Sequence, residues 1–347
     1  MAASARNILV VGPAWVGDMV MSQALYAYLQ QTRPGVTIDV LAPAWSEPLL
    51  QRMPEVRSAI PLPVGHGELG LGRRWRVGRA LGSRHYDQAL LLPNSLKSAL
   101  VPLIAGIPRR TGWRGELRYG LVNDLRLLDE QALPLMVQRF VALALEAGEA
   151  LPAPLPAPRL NVDADQARRC REQLGLAPDR PLLALCPGAE FGGAKRWPAA
   201  SYGELARRYI ARGWQVALFG SANDRAVTGA VRQSAAGHDL CFDLAGRTRL
   251  AEAVDLLSLA TAVVSNDSGL MHIAAGLARP LVVVYGATSP RFTPPLNANA
   301  AILASDIDCA PCFQRECPLG HHRCMRDTPV ERVAGALDAL LAGAEPR

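Results

Sequence analysis

The chain has 347 residues, half of them hydrophobic and a fifth charged, with a mean hydropathy of +0.09. That length exceeds one hydrophobic core of ordinary size and predicts two domains of roughly 150 residues or more, while the composition excludes a mainly disordered or collagen-like chain. The net charge of +6 favours anionic partners without choosing among nucleic acid, phospholipid and phosphorylated substrate.

In chain order, the β-branched runs Asn7 to Gly12, Thr37 to Leu41 and Asp87 to Leu92 read as strands. Helical patterns lie between and after them, at Met19 to Gln31, Arg73 to Gly82 and Ser95 to Ala105. Alternating strand and helix predicts a parallel sheet covered on both faces. Leu151-Pro-Ala-Pro-Leu-Pro-Ala-Pro158 carries prolines at alternate positions, which excludes helix and makes a semi-rigid spacer. The expected domains are therefore 1–155 and 156–347. Beyond the spacer, strands are predicted at Pro181 to Cys186, Gln215 to Phe219, Ala262 to Ser265 and Leu281 to Tyr285. Helices are predicted at Tyr202 to Arg212, Asp224 to Ala235 and Leu250 to Ala260. The fold class is α/β, two doubly wound, Rossmann-like domains facing across a cleft. Val330 to Leu341 reads as a terminal helix packing on one domain, with a return onto the first as an option.

No apolar stretch approaches the roughly 18 to 20 residues that span a bilayer, and the run Ile8 to Val11 is too short for a signal-peptide core. The expectation is a soluble, unexported protein. Seven cysteines, an odd number, argue for reduced thiols or a metal site in the cytoplasm. Lys97 and Lys195 are the only lysines.

Four segments carry chemistry. Gly12-Pro-Ala-Trp-Val-Gly17-Asp18 follows the first strand but lacks the Gly-Lys-Ser/Thr of a phosphate loop and the third glycine of a dinucleotide fingerprint. Asp18 reads either as a helix-capping residue or as a base. Pro187-Gly188-Ala-Glu190-Phe-Gly-Gly-Ala-Lys195-Arg-Trp-Pro198 is a glycine-rich post-strand loop whose lysine suits a diphosphate; an ordinary basic surface turn is the alternative. Ser265-Asn-Asp267-Ser268-Gly269-Leu-Met-His272 opens a helix, where Ser268 and Gly269 make an anion site or a simple N-cap. Cys309, Cys312, Cys317 and Cys324 could make a zinc knuckle or remain free thiols.

Taken together, Gly12 to Gln23, Pro93-Asn-Ser-Leu-Lys97-Ser-Ala-Leu, Arg110-Thr-Gly-Trp-Arg-Gly-Glu116, Pro187 to Pro198 and Asn266 to His272 resemble the lipopolysaccharide heptosyltransferases across nearly the whole chain. The resemblance implies a glycosyltransferase B fold, acceptor on the N-terminal domain and nucleotide sugar on the C-terminal one. It implies inverting transfer of L-glycero-D-manno-heptose from ADP-heptose to the first heptose of the inner core, at the cytoplasmic face of the inner membrane. On that reading Asp18 is the base and Lys195 stabilises the leaving diphosphate. Gly188, Glu190, Asp224, Thr248, Asp267, Ser268, Gly269 and His272 join Lys195 around the donor. Asn94, Lys97, Arg110, Trp113 and Arg114, in two segments expected to follow strands, face the acceptor. No cofactor, metal or nucleic acid is expected, and contact with the membrane is peripheral. The rival readings are a nicotinamide-linked oxidoreductase, a non-catalytic zinc-holding binding protein, and a same-fold transferase with another donor or acceptor.

Overall fold

The computed structural model describes residues 6–65, 67–146 and 148–344. The chain forms two compact units, Met1–Arg159 and Leu160–Arg347. The division falls slightly beyond the prolines because Gln23, buried in the first helix, grips the Arg159 backbone. Its Nε2 donates to the Arg159 carbonyl at 2.6 Å, and its Oε1 accepts from the Arg159 N–H at 2.9 Å. Leu160 N–H already donates to the carbonyl of Gly276 in the second unit.

The first unit contains β1 (Asn7–Val11), β2 (Thr37–Pro43), β3 (Val56–Leu62), β4 (Gln88–Leu91), β5 (Arg109–Trp113) and β6 (Asp124–Arg126). They form one sheet in the order β3-β2-β1-β4-β5-β6, every pair parallel. The second contains β7 (Leu182–Cys186), β8 (Gln215–Leu218), β9 (Cys241–Asp243), β10 (Ala262–Asn266), β11 (Leu281–Tyr285) and β12 (Ala300–Ala304), ordered β12-β11-β10-β7-β8-β9 and again parallel throughout. Counted from its own first strand, each sheet has the order 3-2-1-4-5-6. The central strands are buried on both faces, which is why Ile8 to Val11 and Leu182 to Cys186 are apolar without alternation. In such sheets ligands settle at the carboxyl ends of the two strands between which the order reverses. Those pairs are β1 with β4, and β7 with β10.

The strands predicted from sequence are all present, whereas β3, β5, β6, β9 and β12 are additions. Arg110 and Trp113 therefore lie within a strand, β5, and do not follow one. The terminal helix, Val330–Ala344, packs on the helix Ala199–Ala211 and on β11 and β12. Val330, Val333 and Leu337 give it an apolar stripe that joins the second unit's core, and Asp338 ties it to Tyr209 and Arg212 at 2.8 and 2.7 Å. Its apolar face is thus used within its own unit, against the option of a return onto the first.

Candidate active site

In the first unit, β1 runs through a short loop into the helix Val16–Thr32. The N-cap is Trp15, and Asp18 stands in the first turn, where the helix dipole favours a carboxylate. It lines a cavity of about 110 Å³ with Pro13, Leu92, Asn94, Trp113, Arg139 and Phe140 among others. Pro13 and Asp18 follow β1, and Leu92 and Asn94 follow β4, so this is the switch point of the sheet.

Arg118 holds the cavity's loops together. It is buried, and its guanidinium donates to the Pro93 carbonyl at 2.8 Å, Ser98 Oγ at 3.1 Å, Asn94 Oδ1 at 3.2 Å and the Trp113 carbonyl at 2.5 Å. Close approach does the rest: a Cβ on Gly115 would stand 2.3 Å from the Asn94 carbonyl oxygen. Trp113, whose indole N–H donates to the Arg139 carbonyl at 3.1 Å, is a wall of the cavity. Arg114 is exposed beside it, and Lys97 is half-buried in the loop after Asn94.

Arg110 is a different case. It lies near the amino end of β5, away from the carboxyl edge, and its Nε and Nη1 donate to the carbonyls of Leu121 and Ile107, both at 2.6 Å. Its guanidinium is bound to main chain, which corrects its assignment to the acceptor.

In the second unit, the residues expected around the donor all follow carboxyl ends of strands: Gly188, Glu190 and Lys195 after β7, Asp224 after β8, Thr248 after β9, and Asp267, Ser268, Gly269 and His272 after β10. Glu190 is exposed and Thr248 half-buried. Lys195 Nζ donates to Asp267 Oδ2 at 2.7 Å, both side chains largely buried, and stands 4.9 Å from the Phe191 ring centroid. Thr288, in the loop after β11, donates to the same carboxylate oxygen at 2.6 Å. Asp267 is therefore the counter-ion that aims Lys195. A bare carboxylate would repel a diphosphate, and this one is neutralised.

Ser268 is the N-cap of the helix Gly269–Gly276, its Oγ accepting from Met271 N–H at 3.4 Å. The cap leaves the first N–H groups of that helix pointing off the sheet edge. Burial depresses the His272 imidazole to about 4, with the Asp267 carboxylate opposing and the Lys195 ammonium adding to the effect; at neutral pH it is uncharged. Asp224 braces the β8 loop by accepting from the Ser221 N–H and hydroxyl, both at 2.9 Å. A side chain on Gly188 would strike that carboxylate, 2.4 Å from Oδ1.

Asn266, at the end of β10, organises the Lys195 loop. Its Oδ1 accepts from Trp197 N–H at 2.9 Å and from the Tyr202 hydroxyl at 3.0 Å, while its Nδ2 donates to the Pro187 carbonyl at 2.8 Å. All four residues are buried. Asn266, Thr288, Arg118 and Arg139 were missed as functional positions; only Asn266, inside a recognised motif, carried a sequence signal.

The cysteine-rich segment packs on the same loop. Ala194 N–H donates to the Arg315 carbonyl at 3.0 Å, and Gly193 N–H to Glu316 Oε1 at 3.1 Å. Cys309, Cys312, Cys317 and Cys324 are free, and among the described residues no group of three or more His, Cys, Asp or Glu could hold a metal ion. Cys324 is buried beside Met325, and burial, with the charge of nearby Cys309, Cys312 and Cys317, raises its thiol above the usual range. Backbone N–H groups, His322 first, hold the Cys317 thiol below its usual range.

Two doubly wound domains of this order, each with its polar residues gathered at a switch point, define a two-domain glycosyltransferase of the B type. The chain belongs to glycosyltransferase family 9: the sequence pattern described as "Glycosyltransferase family 9 (heptosyltransferase)" matches residues 74–323. It is similar to the lipopolysaccharide heptosyltransferase 2 of Escherichia coli, 49% identical over 342 residues, 96% of this chain and 98% of the relative. It is also similar to the lipooligosaccharide heptosyltransferase 2 of Haemophilus influenzae, 47% identical over 97% of this chain and 99% of the relative. The solved structure of the Escherichia coli ADP-heptose LPS heptosyltransferase II matches with a TM-score of 0.88 and 48% identity, covering 98% of this chain and all of that one. Membership of this family sets aside the oxidoreductase and the non-catalytic binding protein.

Two outcomes are expected. Asn266→Ala leaves buried donors and an acceptor unpaired, at about 1–3 kcal/mol each, so urea unfolding should show a loss of ~3 kcal/mol or more; a near-neutral result would mean the loop is held otherwise. For His272 the folded value, about 4, lies below the ordinary 6.5. The unfolded chain thus binds the extra proton, and stability present above pH 6.5 is lost as pH falls towards 4, by on the order of 3 kcal/mol. His272→Gln should flatten that part of the stability profile, and a variant tracking the parent would assign the titration to other groups.

Proposed function

We propose that the chain is an inverting heptosyltransferase that moves L-glycero-D-manno-heptose from ADP-heptose to the first heptose of the lipopolysaccharide inner core. The full-length likeness to heptosyltransferase 2 enzymes supports the substrates. The geometric observation that carries the chemistry is a carboxylate, Asp18, lining a cavity at one switch point, with an ammonium held by Asp267 at the other.

In this scheme the acceptor hydroxyl loses its proton to Asp18 as its oxygen attacks the anomeric carbon. The bond to the diphosphate breaks on the opposite face, and its electron pair leaves with ADP. Lys195 and the N–H groups at the start of the helix Gly269–Gly276 meet the charge that develops on the diphosphate. His272, neutral, adds no charge of its own. Positive charge from these groups calls for no metal, and activity unaltered by EDTA is the expected result. Asn94, Trp113, Lys97 and Arg114 take the anionic acceptor. Because that acceptor is a lipid, the enzyme works as a peripheral protein at the cytoplasmic face of the inner membrane; among the described residues no helix is long and apolar enough to cross a membrane.

Asp18→Asn should keep the unfolding transition and ADP affinity while lowering turnover ~100- to 10,000-fold; normal turnover in a single-turnover assay would remove it as the base. Lys195→Ala should weaken ADP and ADP-heptose binding alike and also slow the chemical step, and unchanged ADP affinity by calorimetry would overturn that role. Asp267→Asn tests the positioning role separately: it keeps the ammonium but frees its aim, so kcat should fall more than ADP affinity.

A further inference from the structure

One surface of the first unit is left unexplained by transfer. The helix Leu71–Leu81 reads Leu-Gly-Arg-Arg-Trp-Arg-Val-Gly-Arg-Ala-Leu, with four arginines and no acidic residue. Its inner side is settled: Gly78 packs so closely on the helix Leu100–Ile104 that a Cβ there would come within 2.7 Å of Ile104, and Arg74 is buried. The outer side is not. Leu71 is 58% exposed and Trp75 57%, four residues apart and hence on one face, with Leu69 just before them and Leu103 of the helix Leu100–Ile104 also exposed. Leu71, Gly72, Arg74, Trp75, Leu100 and Ile104 line an apolar groove of about 470 Å³. Arg73 pairs with Glu68 at 2.7 Å. Arg76 and Arg79, both exposed, pair with no carboxylate among the described residues.

We propose that this face, Leu69, Leu71, Trp75 and Leu103 with Arg76 and Arg79 beside them, is the surface by which the protein docks on an anionic phospholipid bilayer. Half-exposed tryptophan and leucine next to uncompensated arginines match the two layers of a membrane interface, apolar chains below and phosphates above. A protein partner would need carboxylates facing Arg76 and Arg79 and a shaped plug for the groove; an anionic bilayer meets the arginines with phosphates and the groove with fluid acyl chains.

Position supports the same occupant. The helix Leu71–Leu81 follows the carboxyl end of β3, and Leu100–Ile104 follows the loop after β4 that lines the Asp18 cavity. Arg74 staples the two stretches, its Nε donating to the Leu69 carbonyl at 2.7 Å and its Nη1 to the Lys97 carbonyl at 3.2 Å. The docking face thus lies at the same sheet edge as the acceptor cavity, as a substrate that keeps its lipid anchor in the membrane requires. The choice of lipid rests on the acceptor reading above, but its test does not use transfer.

The test is flotation of the full chain with vesicles of phosphatidylcholine alone and of phosphatidylcholine mixed with phosphatidylglycerol. The parent should bind the anionic vesicles, less so as salt is raised, and bind the neutral ones weakly. Replacing Arg76 or Arg79 by Gln should each lower partitioning onto anionic vesicles about fivefold. Trp75→Ser and Leu71→Ser should reduce binding to both vesicle types, with unfolding midpoints and ADP affinity unchanged because all four side chains are exposed. No binding by the parent, or Trp75→Ser and Leu71→Ser variants that bind as it does, would overturn the proposal. So would a concentration-dependent dimer in sedimentation that Trp75→Ser dissolves, since the face would then belong to a second copy. Transfer to a delipidated acceptor reports on the catalytic reading by itself: its failure with vesicle binding intact would sink that reading and spare this one.

Discussion

The contact between Lys195 and Asp267 is the point on which the second unit's chemistry turns. It joins loops that follow β7 and β10, and Thr288 adds the loop after β11, so three strands of the sheet set the position of one ammonium. Taking both charges out of water is costly and is offset only when the remaining polar atoms are also satisfied. Here the carboxylate oxygen that takes the lysine also takes a hydroxyl. The lysine keeps N–H donors to spare, because one contact with Asp267 leaves the others free to meet a ligand. A cation compensated in this way can be buried before any ligand arrives, and on the proposed reading it needs no rearrangement to meet the charge that develops in the reaction.

The pair can hold this position because Asn266 fixes the loop beneath it. A loop at the carboxyl end of a parallel strand has no ladder of its own and must find hydrogen bonds elsewhere. One amide meets that need on both sides, accepting from Trp197 and Tyr202 and donating to Pro187. Trp197 then stacks edge-on against Tyr202 with centroids 4.8 Å apart, and its indole N–H reaches the Thr328 carbonyl. The Trp-Pro that ends the Lys195 motif is thus an anchor in the core, and the lysine two residues before it inherits that rigidity.

Much of this was legible in the sequence. Doubly buried strands leave mostly apolar runs, so β1, β2, β4, β7, β8, β10 and β11 could be read directly, and the loops that follow them named Asp18, Lys195 and the Asp267 to His272 turn. Edge and partly covered strands carry weaker patterns. β3 holds Arg57, Ser58 and a proline, and β5 begins with two arginines, so both passed as connections. β5 also explains Arg110: an arginine in a loop and an arginine at the amino end of a strand look alike in sequence, and Arg110 is the second kind. Thr288 and Arg118 could not have been found that way, since each matters through a partner distant in sequence, at Asp267 and at Asn94.

The two units solve the same problem with opposite electrostatics. Both must hold loops at a switch point, and both use a largely buried cation to do so, but Lys195 is matched by a carboxylate whereas Arg118 binds carbonyls, an amide oxygen and a hydroxyl. Burial pulls the Arg118 guanidinium down from its ordinary value, the Glu116 carboxylate opposing, yet arginine remains charged in any folded protein. Neutral acceptors bind its two Nη groups without cancelling the charge, and its buried Nε has no hydrogen-bond partner among the described residues. The first unit's buried cation therefore has a field not matched within its own hydrogen-bond shell, and the second unit's has one that is. On the proposed reading, an anionic sugar acceptor would be drawn to the first kind of site by long-range attraction. A diphosphate, bringing its own strong hydrogen-bond acceptors, would on the same reading be better served by the second, where Asp267 already aims the ammonium and a helix begins.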